Sequence, residues 1–546
     1  YQDYLRGTVA GGYIEKPWDI AQSATAACPK EANALIRHEL EKGSTAVNVK
    51  IGHDGVSVKS AADVKLLLDG VDLSKVRLHI DCGYSAAEVL GWIAETKTCF
   101  PKASGMIGAD PIGCLASRGC LPKKLEDLFC EMAKSVKLAA QKAPGVRTVL
   151  VDGNVYANGG ATAVQEIACC MSTAAAYIEA LGARGIDADA AATSIRFSFS
   201  LGSNFFMEIA KLRAARVVFS QMVAAFGGSS DAQKIEVFAR TSSFTKTMYD
   251  PYVNILRATT AAFSGVVGGI DAMEIAPLDE AYGSSDEQTR RVARNMQVMM
   301  QEEFGLLQPV DPAGGSWYVE TLTAELAKAI WTEFQRLETA GGIVAALRAG
   351  TVQADLAKVL ADRFSKLAFR TDRAVGTNMY ANMLEKKLDR PAKPAAGACK
   401  LAAVESVTPI EAHRWTEQFE SLRAKTEQYE AQTGKTVKVF LANMGPIPQH
   451  KARAEFASGF FEVAHFEMLK NDGFATVEEA AEAAAKSGAE VAVICSTDDT
   501  YPELVPPLAK LIKANCPGMS VMLAGAPAPE YKGSYVEAGV DEFIHV

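Results

Sequence analysis

Histidine, the commonest general acid, general base and metal ligand in enzymes, is unevenly spread along this chain. The seven histidines are His38, His53, His79, His413, His450, His465 and His545. Because none lies between His79 and His413, acid–base chemistry in that long stretch would fall to carboxylates, lysine, tyrosine or cysteine. The sequence therefore predicts no histidine-based catalytic site in most of the N-terminal region.

The eleven cysteines indicate neither a disulfide framework nor a zinc site. No CxxC pair occurs, and Cys114 and Cys120 lack a second pair of ligands nearby. We interpret the cysteines as free thiols in a reducing compartment. The glycine-rich run Gly265–Gly269 lacks the strand-to-helix GxGxxG context, so we do not expect a dinucleotide site there.

Length and composition set the class of protein. The 546 residues, 49% apolar and 22% charged, are typical of a globular chain with a large barrel plus something smaller, or about three domains. A net charge of −9 argues against a large basic face for nucleic acid or an anionic membrane. We find no run of about 18 uncharged apolar residues, which excludes a membrane-spanning helix. The chain starts at Tyr1 without methionine, and we expect the true N-terminus further upstream.

Short apolar runs alternate with amphipathic helical patterns over residues 1–350. The predicted strands are Ala46–Ile51, Val76–Cys82, Met106–Pro111, Val146–Gly153, Arg196–Gly202, Val237–Ser242 and Asp271–Ala276. The clearest helices are Glu31–Glu41 and Glu208–Ala225, with apolar residues at three- and four-residue spacing. Seven strands at this rhythm, with an eighth not identified, predict a (β/α)₈ barrel of the TIM type.

The C-terminal part of the chain shows a linker and a second α/β pattern. Over 351–435 we predict helical segments and an extended linker. Prolines and a glycine keep Asp389–Ala398 from forming a helix. A charged helix is predicted over Thr416–Thr433 and ends at Gly434. Over 436–546 the predicted strands are Val437–Leu441, Val463–Phe466, Val491–Ser496, Ser520–Gly525 and Glu542–Val546, and the helices are Lys451–Phe461, Thr476–Ser487 and Leu504–Asn515. This order predicts a flavodoxin-like, doubly wound domain.

Several stretches resemble the adenosylcobalamin-dependent acyl-CoA mutases, in particular the methylmalonyl-CoA mutase family. They are Lys16–Ile20 (KPWDI), Gly202–Arg216 (GSNFFMEIAKLRAAR), Pro277–Ala281 (PLDEA), Arg291–Gln297 (RVARNMQ) and Val310–Glu320 (VDPAGGSWYVE). The resemblance covers nearly the whole chain and is thin between Ser57 and Gly145. A barrel, a linker and a C-terminal flavodoxin-like domain is this family's layout. The resemblance implies an isomerase that interconverts methylmalonyl-CoA and succinyl-CoA in propionate metabolism.

The cobalt-binding loop of the family is altered in this chain. The family holds cobalt with an Asp-x-His-x-x-Gly loop, in which the imidazole donates to the metal, the carboxylate fixes the tautomer and the glycine lets the corrin approach. The matching positions are Ile447, Gln449 and Ala452. An amide nitrogen is a poor cobalt donor, and an isoleucine cannot orient a ligand electrostatically. The resemblance therefore implies a degenerate cobalamin-binding domain.

Neighbouring positions of that domain have changed as well. His450 lies one residue beyond the ligand position without the accompanying aspartate and glycine, and we interpret it as an exposed loop histidine. The Ser-x-Leu segment that lines the cobalamin tail in the family matches Cys495, Ser496 and Thr497. The Gly-Gly pair that lets the tail pass matches Ala524–Gly525. These changes predict that the domain has kept its fold and lost its ligand.

The barrel shows parallel losses. The family's tyrosine that wedges against the corrin matches Ser23, and the arginine that contacts the CoA phosphates matches Ala21. The catalytic histidine that hydrogen-bonds the thioester carbonyl matches Val155, which has no proton to donate. The arginine that pairs with the substrate carboxylate has no match around Ala116–Lys124.

The remaining matched residues have ordinary structural interpretations beside the functional ones. Glu280 matches an adenosine-contacting residue whose partner position is Ala276, and a solvated or capping carboxylate at a helix start explains it equally well. We interpret Arg213 and Arg216 as surface or interface salt-bridge residues on an amphipathic helix. Cys169–Cys170 is interpreted as two buried small residues.

Together these changes predict a chain with no catalytic, cofactor-binding or metal-binding residues of its own. It resembles the small, non-catalytic subunits of heterodimeric family members, which implies a large catalytic partner that binds adenosylcobalamin and the CoA ester in a bacterial cytoplasm. No nucleic acid or membrane partner is expected. Two alternatives stay open: an active mutase with an unorthodox cobalamin loop, and a module that senses CoA esters or cobalamin.

Overall fold

The computed structural model describes residues 7–52, 55–390 and 403–545. The chain forms two compact units. The first contains Tyr1–Lys246, Asn254–Ala361 and Leu388–Arg414, and the second contains Thr247–Val253, Asp362–Lys387 and Trp415–Val546. The division of the sequence into a barrel (1–350), a linker (351–435) and a flavodoxin-like domain (436–546) stays a prediction.

The strands, in chain order, are β1 (Asp19–Ile20), β2 (Ala46–Lys50), β3 (Arg77–Asp81), β4 (Ser104–Ala109), β5 (Cys120–Leu121), β6 (Gly145–Asp152), β7 (Ile195–Leu201), β8 (Val237–Thr241), β9 (Ala272–Glu274), β10 (Glu405–Ser406), β11 (Lys438–Asn443), β12 (Glu467–Leu469), β13 (Val491–Cys495), β14 (Ser520–Ala524) and β15 (Glu542–Ile544).

The α-helices, in chain order, are α1 (Gly12–Glu15), α2 (Pro29–Glu41), α3 (Ala61–Leu67), α4 (Ala86–Thr96), α5 (Pro111–Arg118), α6 (Leu125–Lys142), α7 (Asn154–Asn158), α8 (Ala163–Gly182), α9 (Ala188–Ser194), α10 (Phe205–Ala225), α11 (Val253–Gly268), α12 (Glu287–Glu302), α13 (Trp317–Thr339), α14 (Gly342–Ala349), α15 (Thr351–Ala368), α16 (Glu417–Thr433), α17 (Ile447–Glu462), α18 (Val477–Ser487), α19 (Tyr501–Asn515) and α20 (Pro529–Glu537).

An eight-stranded parallel sheet closes into a barrel in the first unit. Its strand order is β1-β9-β8-β7-β6-β4-β3-β2. Backbone hydrogen bonds from Thr45 to Ile20 (3.0 Å) and from Ala24 to Asn48 (2.9 Å) join the first and last strands. The predicted TIM-type barrel is confirmed, and the seven predicted strands match the observed ones to within two residues at each end. The eighth strand, β1, is only two residues long, which is too short to show a period.

Alternating residues of the barrel strands face different environments, as the pleat of a strand requires. In β7, Phe197, Phe199 and Leu201 belong to the apolar core that packs under the helices. Ser198, between them, lines a cavity inside the barrel instead. The barrel interior is therefore polar, in contrast to the branched apolar residues that usually fill it.

A five-stranded parallel sheet forms the core of the C-terminal domain, in the order β12-β11-β13-β14-β15. Helices α18 and α19 pack on one face of this sheet through Ala480, Val505 and Leu508. Helix α17 packs on the other face through Ala457 and Phe461. The predicted flavodoxin-like topology is confirmed.

Three details of the C-terminal predictions are wrong. Val463–Phe466 is not a strand: it forms the turn after α17, where His465 takes a φ of 65°, and the strand β12 follows it. Helix α20 was not predicted. The loop expected around Ile447 is the first turn of α17, which begins after Pro446.

The linker predictions are tested only in part. Helix α16 ends, as expected, at Gly434, which adopts a left-handed conformation with φ 67° and caps the helix. Of the proline-containing stretch Asp389–Ala398, only Asp389 and Arg390 belong to the described residues. Val546 lies outside the described residues. Among the described residues, no helix combines the length and apolarity needed to span a membrane.

The cysteine prediction needs one correction. Among the described residues, nine cysteines are free thiols, namely Cys28, Cys82, Cys99, Cys114, Cys130, Cys169, Cys170, Cys495 and Cys516. Cys120 is disulfide-bonded, contrary to expectation. Cys399 lies outside the described residues.

Candidate functional site

The carboxyl ends of the barrel strands open onto a cavity of about 300 Å³. Lys50, Asp81 and Asp152 are the last residues of β2, β3 and β6, and Arg240 and Glu274 come from the ends of β8 and β9. Active sites of this fold form at this end of the barrel, because the strands present several side chains to one point. The mouth of the barrel is therefore the first candidate site.

The positive charges at the mouth are already neutralised by carboxylates. Lys50 Nζ lies 3.6 Å from Asp81 Oδ2, and Arg240 Nε lies 3.3 Å from Glu274 Oε1. A second guanidinium nitrogen of Arg240 binds the carboxylate of Glu280. Burial raises the pKa of the Glu274 carboxyl, and Arg240 opposes this shift. No excess of positive charge remains among these residues for an anionic substrate.

A buried ion network lies beneath the cavity. Glu236 accepts hydrogen bonds from Arg77 (3.1 Å) and Arg147 (2.7 Å), and Arg196 lies 3.4 Å away. Burial opposes ionisation of Glu236, but the guanidinium groups prevail and hold its pKa far below the usual range. Arg196 also donates to the imidazole of His79, which lines the cavity. This network of buried, paired side chains therefore closes the barrel beneath the cavity.

A second cavity of about 490 Å³ adjoins the first on the side of α5 and α7. Burial raises the pKa of Asp110 in this cavity to about 7, and hydrogen bonds from the Tyr177 hydroxyl and from the Gly113 amide oppose the shift. Asp110 caps α5 through the Gly113 amide. Burial also raises the pKa of the Cys114 thiol to about 12, so this cysteine is not a thiolate at neutral pH.

The C-terminal sheet has its topological switch point between β11 and β13, where doubly wound folds bind their ligands. One side-chain hydrogen bond crosses this point, and two more lie beside it. The Ser496 hydroxyl donates to the Met444 carbonyl (3.3 Å), and the Tyr501 hydroxyl donates to the Ala524 carbonyl (2.7 Å) and accepts from the Ser496 amide (3.1 Å).

Two side chains fill the space above Gly525, the surviving glycine of the expected pair. A methyl group placed on Gly525 would lie 3.3 Å from the Tyr501 ring and 3.4 Å from the Arg453 guanidinium. Arg453 is held there by Asp498 at 2.9 Å. Arg453 and Tyr501 therefore fill the part of the crevice directly above Gly525, and both are residues that sequence reasoning missed.

The first turn of α17 carries Ile447 and Gln449, two of the positions at which the resemblance implies an altered cobalt-binding loop. The Gln449 side chain packs against Gly445. A methyl group on Gly445 would lie 2.2 Å from Gln449 Oε1, so the Gln449 side chain can lie here only because Gly445 has no side chain. His450 is buried, and its Nδ1 lies 3.1 Å from the Gly445 carbonyl, to which it donates. The expectation of an exposed loop histidine is therefore wrong, because the helix begins earlier and turns His450 inward. Ile447 is about half exposed.

Comparison with known proteins decides the family. The model of the family described as methylmalonyl-CoA mutase matches residues 1–444. The chain is 35% identical over 545 residues to the methylmalonyl-CoA mutase small subunit of Streptomyces virginiae, with 99% of this chain and 86% of that protein covered. The chain belongs to the methylmalonyl-CoA mutase family. The expected resemblance is confirmed.

Other relatives of the methylmalonyl-CoA mutase family agree. The small subunit of Porphyromonas gingivalis is 31% identical over 525 residues, covering 94% of this chain and 82% of that protein. The small subunit of Propionibacterium freudenreichii subsp. shermanii is 32% identical over 543 residues, covering 98% and 80%. The similarity to proteins named small subunits thus extends over nearly the whole chain.

The barrel positions singled out by the mutase resemblance lie around the mouth. Ala21 is fully buried directly after β1, and Ser23 lines the first cavity and bridges to Asn48. Val155, in α7, lines the second cavity and packs against the core. The structure thus places Ser23 and Val155 in the two adjoining cavities, whereas Ala21 is buried in a small apolar cluster with Ala46, Phe238 and Ala272.

Two of the structural interpretations need correction. Glu280 lies in a turn that follows Pro277, not at a helix start, and its carboxylate pairs with Arg240. Arg213 and Arg216 are buried rather than exposed. Arg216 donates to the Gly268 carbonyl at 2.7 Å. The helical pattern was misleading here because α10 is buried on most of its sides.

Other interpretations and omissions are simpler. Cys169 and Cys170 are buried, as expected. The mouth residues Asp81, Asp152 and Arg240 were missed by sequence reasoning. The available signal was a charged residue at or near the end of each predicted strand, since strand ends converge at the mouth of a barrel.

Proposed function

We propose that this chain is the non-catalytic small subunit of a heterodimeric methylmalonyl-CoA mutase, and that a related large subunit binds adenosylcobalamin and the CoA ester. The observation that carries the proposal is the position of Gln449. It stands where the family's cobalt ligand stands, its amide nitrogen is a poor donor, and its side chain is folded onto Gly445. The nearest imidazole, His450, is buried and bound to the Gly445 carbonyl.

The residues of the C-terminal domain do not fit a corrin or its tail. The hydrogen bond between Ser496 and Met444 spans the switch point. Arg453 and Tyr501 occupy the space over Gly525 that the tail would need. Cys495, Thr497 and Ala524 stand at the other changed positions of this crevice, where Cys495 and Ala524 are fully buried. We therefore assign no cofactor to this chain and derive no chemical step through one.

The barrel supports the same proposal. Val155 cannot donate a hydrogen bond to a thioester carbonyl, and Ala21 cannot pair with a phosphate. The guanidinium of Arg240 is bound by Glu274 and Glu280. A CoA ester carries several negative charges, and the two described cations that line the first cavity, Lys50 and Arg240, are already paired with carboxylates.

The chain's role is then structural support for a radical site in the partner. A related barrel packed against the catalytic subunit can hold it rigid and shield reactive intermediates from water. Two related chains would associate about a pseudo-two-fold axis. We place the complex in the bacterial cytoplasm, which agrees with the free thiols of nine of the described cysteines, whereas the disulfide at Cys120 is unusual for that compartment.

Activity assays of the separated and recombined subunits test the proposal. The chain alone, incubated with adenosylcobalamin and methylmalonyl-CoA, should form no succinyl-CoA. The two subunits together should form it, with one small subunit per large subunit. Turnover by this chain alone would overturn the proposal and favour an active mutase. Tight binding of a CoA ester or of cobalamin by the inactive chain would favour a sensing module.

A further inference from the structure

A cavity of about 210 Å³ lies within the second compact unit, between the end of α15, helix α16 and the second half of α17. Its walls are mostly aromatic and include Phe369, Phe419, Phe456, Phe460, Phe461 and Phe466. Phe461, Val463 and Ala464 are buried, whereas Phe369 is 63% exposed, so the cavity has a closed floor and an open rim. We call it the phenylalanine cavity.

Arg370 is the one side chain of fixed positive charge among the described residues that line this cavity. Its Nη2 donates to the Gly459 carbonyl of α17 at 2.6 Å. A guanidinium has five N–H donors, so this bond leaves most of them available. In the described part of the chain, no carboxylate forms an ion pair with Arg370, and burial lowers the pKa of its guanidinium. A partly buried cation is thus left without an anion, although burying charge is costly unless the charge is paired.

The backbone of Arg370 is unusual as well. This residue follows the end of α15 and takes a φ of 56°, in the left-handed region that glycine and asparagine favour after a helix. Its amide donates to the Leu367 carbonyl at 3.1 Å, which closes the last turn. Strained backbone of this kind is concentrated at ligand-binding sites. The helix end therefore directs an arginine, rather than the usual glycine, to the rim of the cavity.

We propose that the phenylalanine cavity binds a small monocarboxylate with a hydrocarbon tail, with the carboxylate on Arg370 and the tail between the phenylalanine rings. The planar fork of a guanidinium matches the two oxygens of a carboxylate. Apolar walls with a few polar groups are typical of small-molecule sites.

The size and charge of the cavity define the ligand further. A cavity of about 150 Å³ is large enough to bind benzene, so this one suits a tail of about eight carbons. The other polar side chain that lines it is His545. A ligand with several phosphates would find no second fixed cation among the described lining residues. This inference does not depend on the proposed role in the mutase.

The test compares octanoate, 1-octanol and octylammonium, which carry the same tail on an anionic, a neutral and a cationic head group. Their binding to the full chain is measured by isothermal titration calorimetry at neutral pH. We expect octanoate to bind about tenfold or more tightly than 1-octanol, because its head group adds charge-assisted hydrogen bonds. Octylammonium should bind more weakly than either. Octanoate binding should show a negative heat-capacity change, since apolar surface is buried.

The Arg370→Asn variant removes the guanidinium. Asparagine tolerates the left-handed conformation, so the melting temperature should not fall. The variant should bind octanoate about tenfold or more weakly and 1-octanol as the wild type does. The matched control is Arg373→Asn, which removes an exposed arginine of the same segment that is not part of the cavity wall. It should leave the affinity for both probes unchanged.

The Leu422→Trp variant tests the location of the tail. Leu422 lines the cavity and is 43% exposed, so a larger side chain there should narrow the cavity and weaken the binding of octanoate and 1-octanol alike. Unchanged octanoate binding by this variant would place the acid elsewhere and overturn the proposal.

Three other results would overturn it too. They are equal affinities for octanoate and 1-octanol, wild-type octanoate affinity in Arg370→Asn, and no octanoate binding by the folded chain. If a protein partner displaces bound octanoate, the cavity is a contact for that partner instead.

Discussion

Inside the barrel, the guanidinium of Arg196 donates a hydrogen bond to Nδ1 of His79. Because Nδ1 accepts, the imidazole carries its proton on Nε2, which lies 3.3 Å from the Asp19 carboxylate. Burial, reinforced by the positive charge of Arg196, lowers the pKa of His79 to about 4. The histidine is therefore neutral at physiological pH and forms part of the ion network that closes the barrel.

This shift predicts a pH dependence of stability. The folded chain binds the His79 proton near pH 4 and the unfolded chain near pH 6.5, so the unfolded state takes up the proton first as the pH falls. Stability that is complete above about pH 6.5 is lost towards pH 4, by at most about 3 kcal/mol from this residue. The measurement is the melting temperature between pH 4.5 and 7.5.

The His79→Gln variant isolates the contribution of this histidine from that of the carboxylates. It should be less stable at neutral pH and should lose less on acidification than the wild type. Equal slopes for the wild type and His79→Gln would contradict the assignment.

A second prediction concerns Lys211, which is buried between two carboxylates. Its Nζ lies 2.8 Å from Glu166 Oε2 and 2.6 Å from Glu208 Oε2, and it donates to the Ser200 carbonyl. Lys211→Met leaves both carboxylates buried without a cation and should lower the free energy of unfolding by about 3–5 kcal/mol. Denaturant unfolding measures this loss.

The matched control is Lys234→Met. Lys234 pairs at 2.6 Å with the exposed carboxylate of Asp231, three residues earlier in a surface turn, and such pairs contribute less than about 1 kcal/mol. If both methionine variants unfold at the same denaturant concentration, the buried pair does not stabilise the barrel as described.

A third prediction concerns restoration of the family's cobalt loop. The triple variant Ile447→Asp/Gln449→His/Ala452→Gly should fold but should retain no cobalamin after gel filtration. The reason is that Arg453 and Tyr501 still fill the space over Gly525. The visible spectrum of the desalted protein provides the measurement. Retention of cobalamin by the triple variant would mean that the loop alone, rather than the filled crevice, decides binding.

The sequence predicted those parts of the fold that depend on local periodicity. Each predicted barrel strand is a short run rich in apolar or β-branched residues between turn residues, which identifies a strand without knowledge of its neighbours. Strand β1 was missed because two residues show no period. The apolar run Val463–Phe466 was read as a strand because it ends an apolar helix face and enters a turn at His465.

The partners of the buried and half-buried charged side chains could not be predicted from local sequence patterns. Arg213 stands on a helix that looks amphipathic, yet its partners Asp311 and Glu320 lie about a hundred residues away in the chain. The same is true of Arg453 and Tyr501, which come together over Gly525 only after the sheet has formed. The resemblance identified the changed positions, but only the structure places protein atoms in the crevice.

The central claim is that this chain supports a cobalamin-binding partner without binding cobalamin itself. The most direct test is to purify the complex from its native source, separate the two chains and record the visible spectrum of each. The account predicts that a larger partner elutes with this chain at one to one and carries all of the cobalamin absorbance. Cobalamin retained by this chain alone would contradict the account and would show that Gln449 and the filled crevice do not exclude the cofactor.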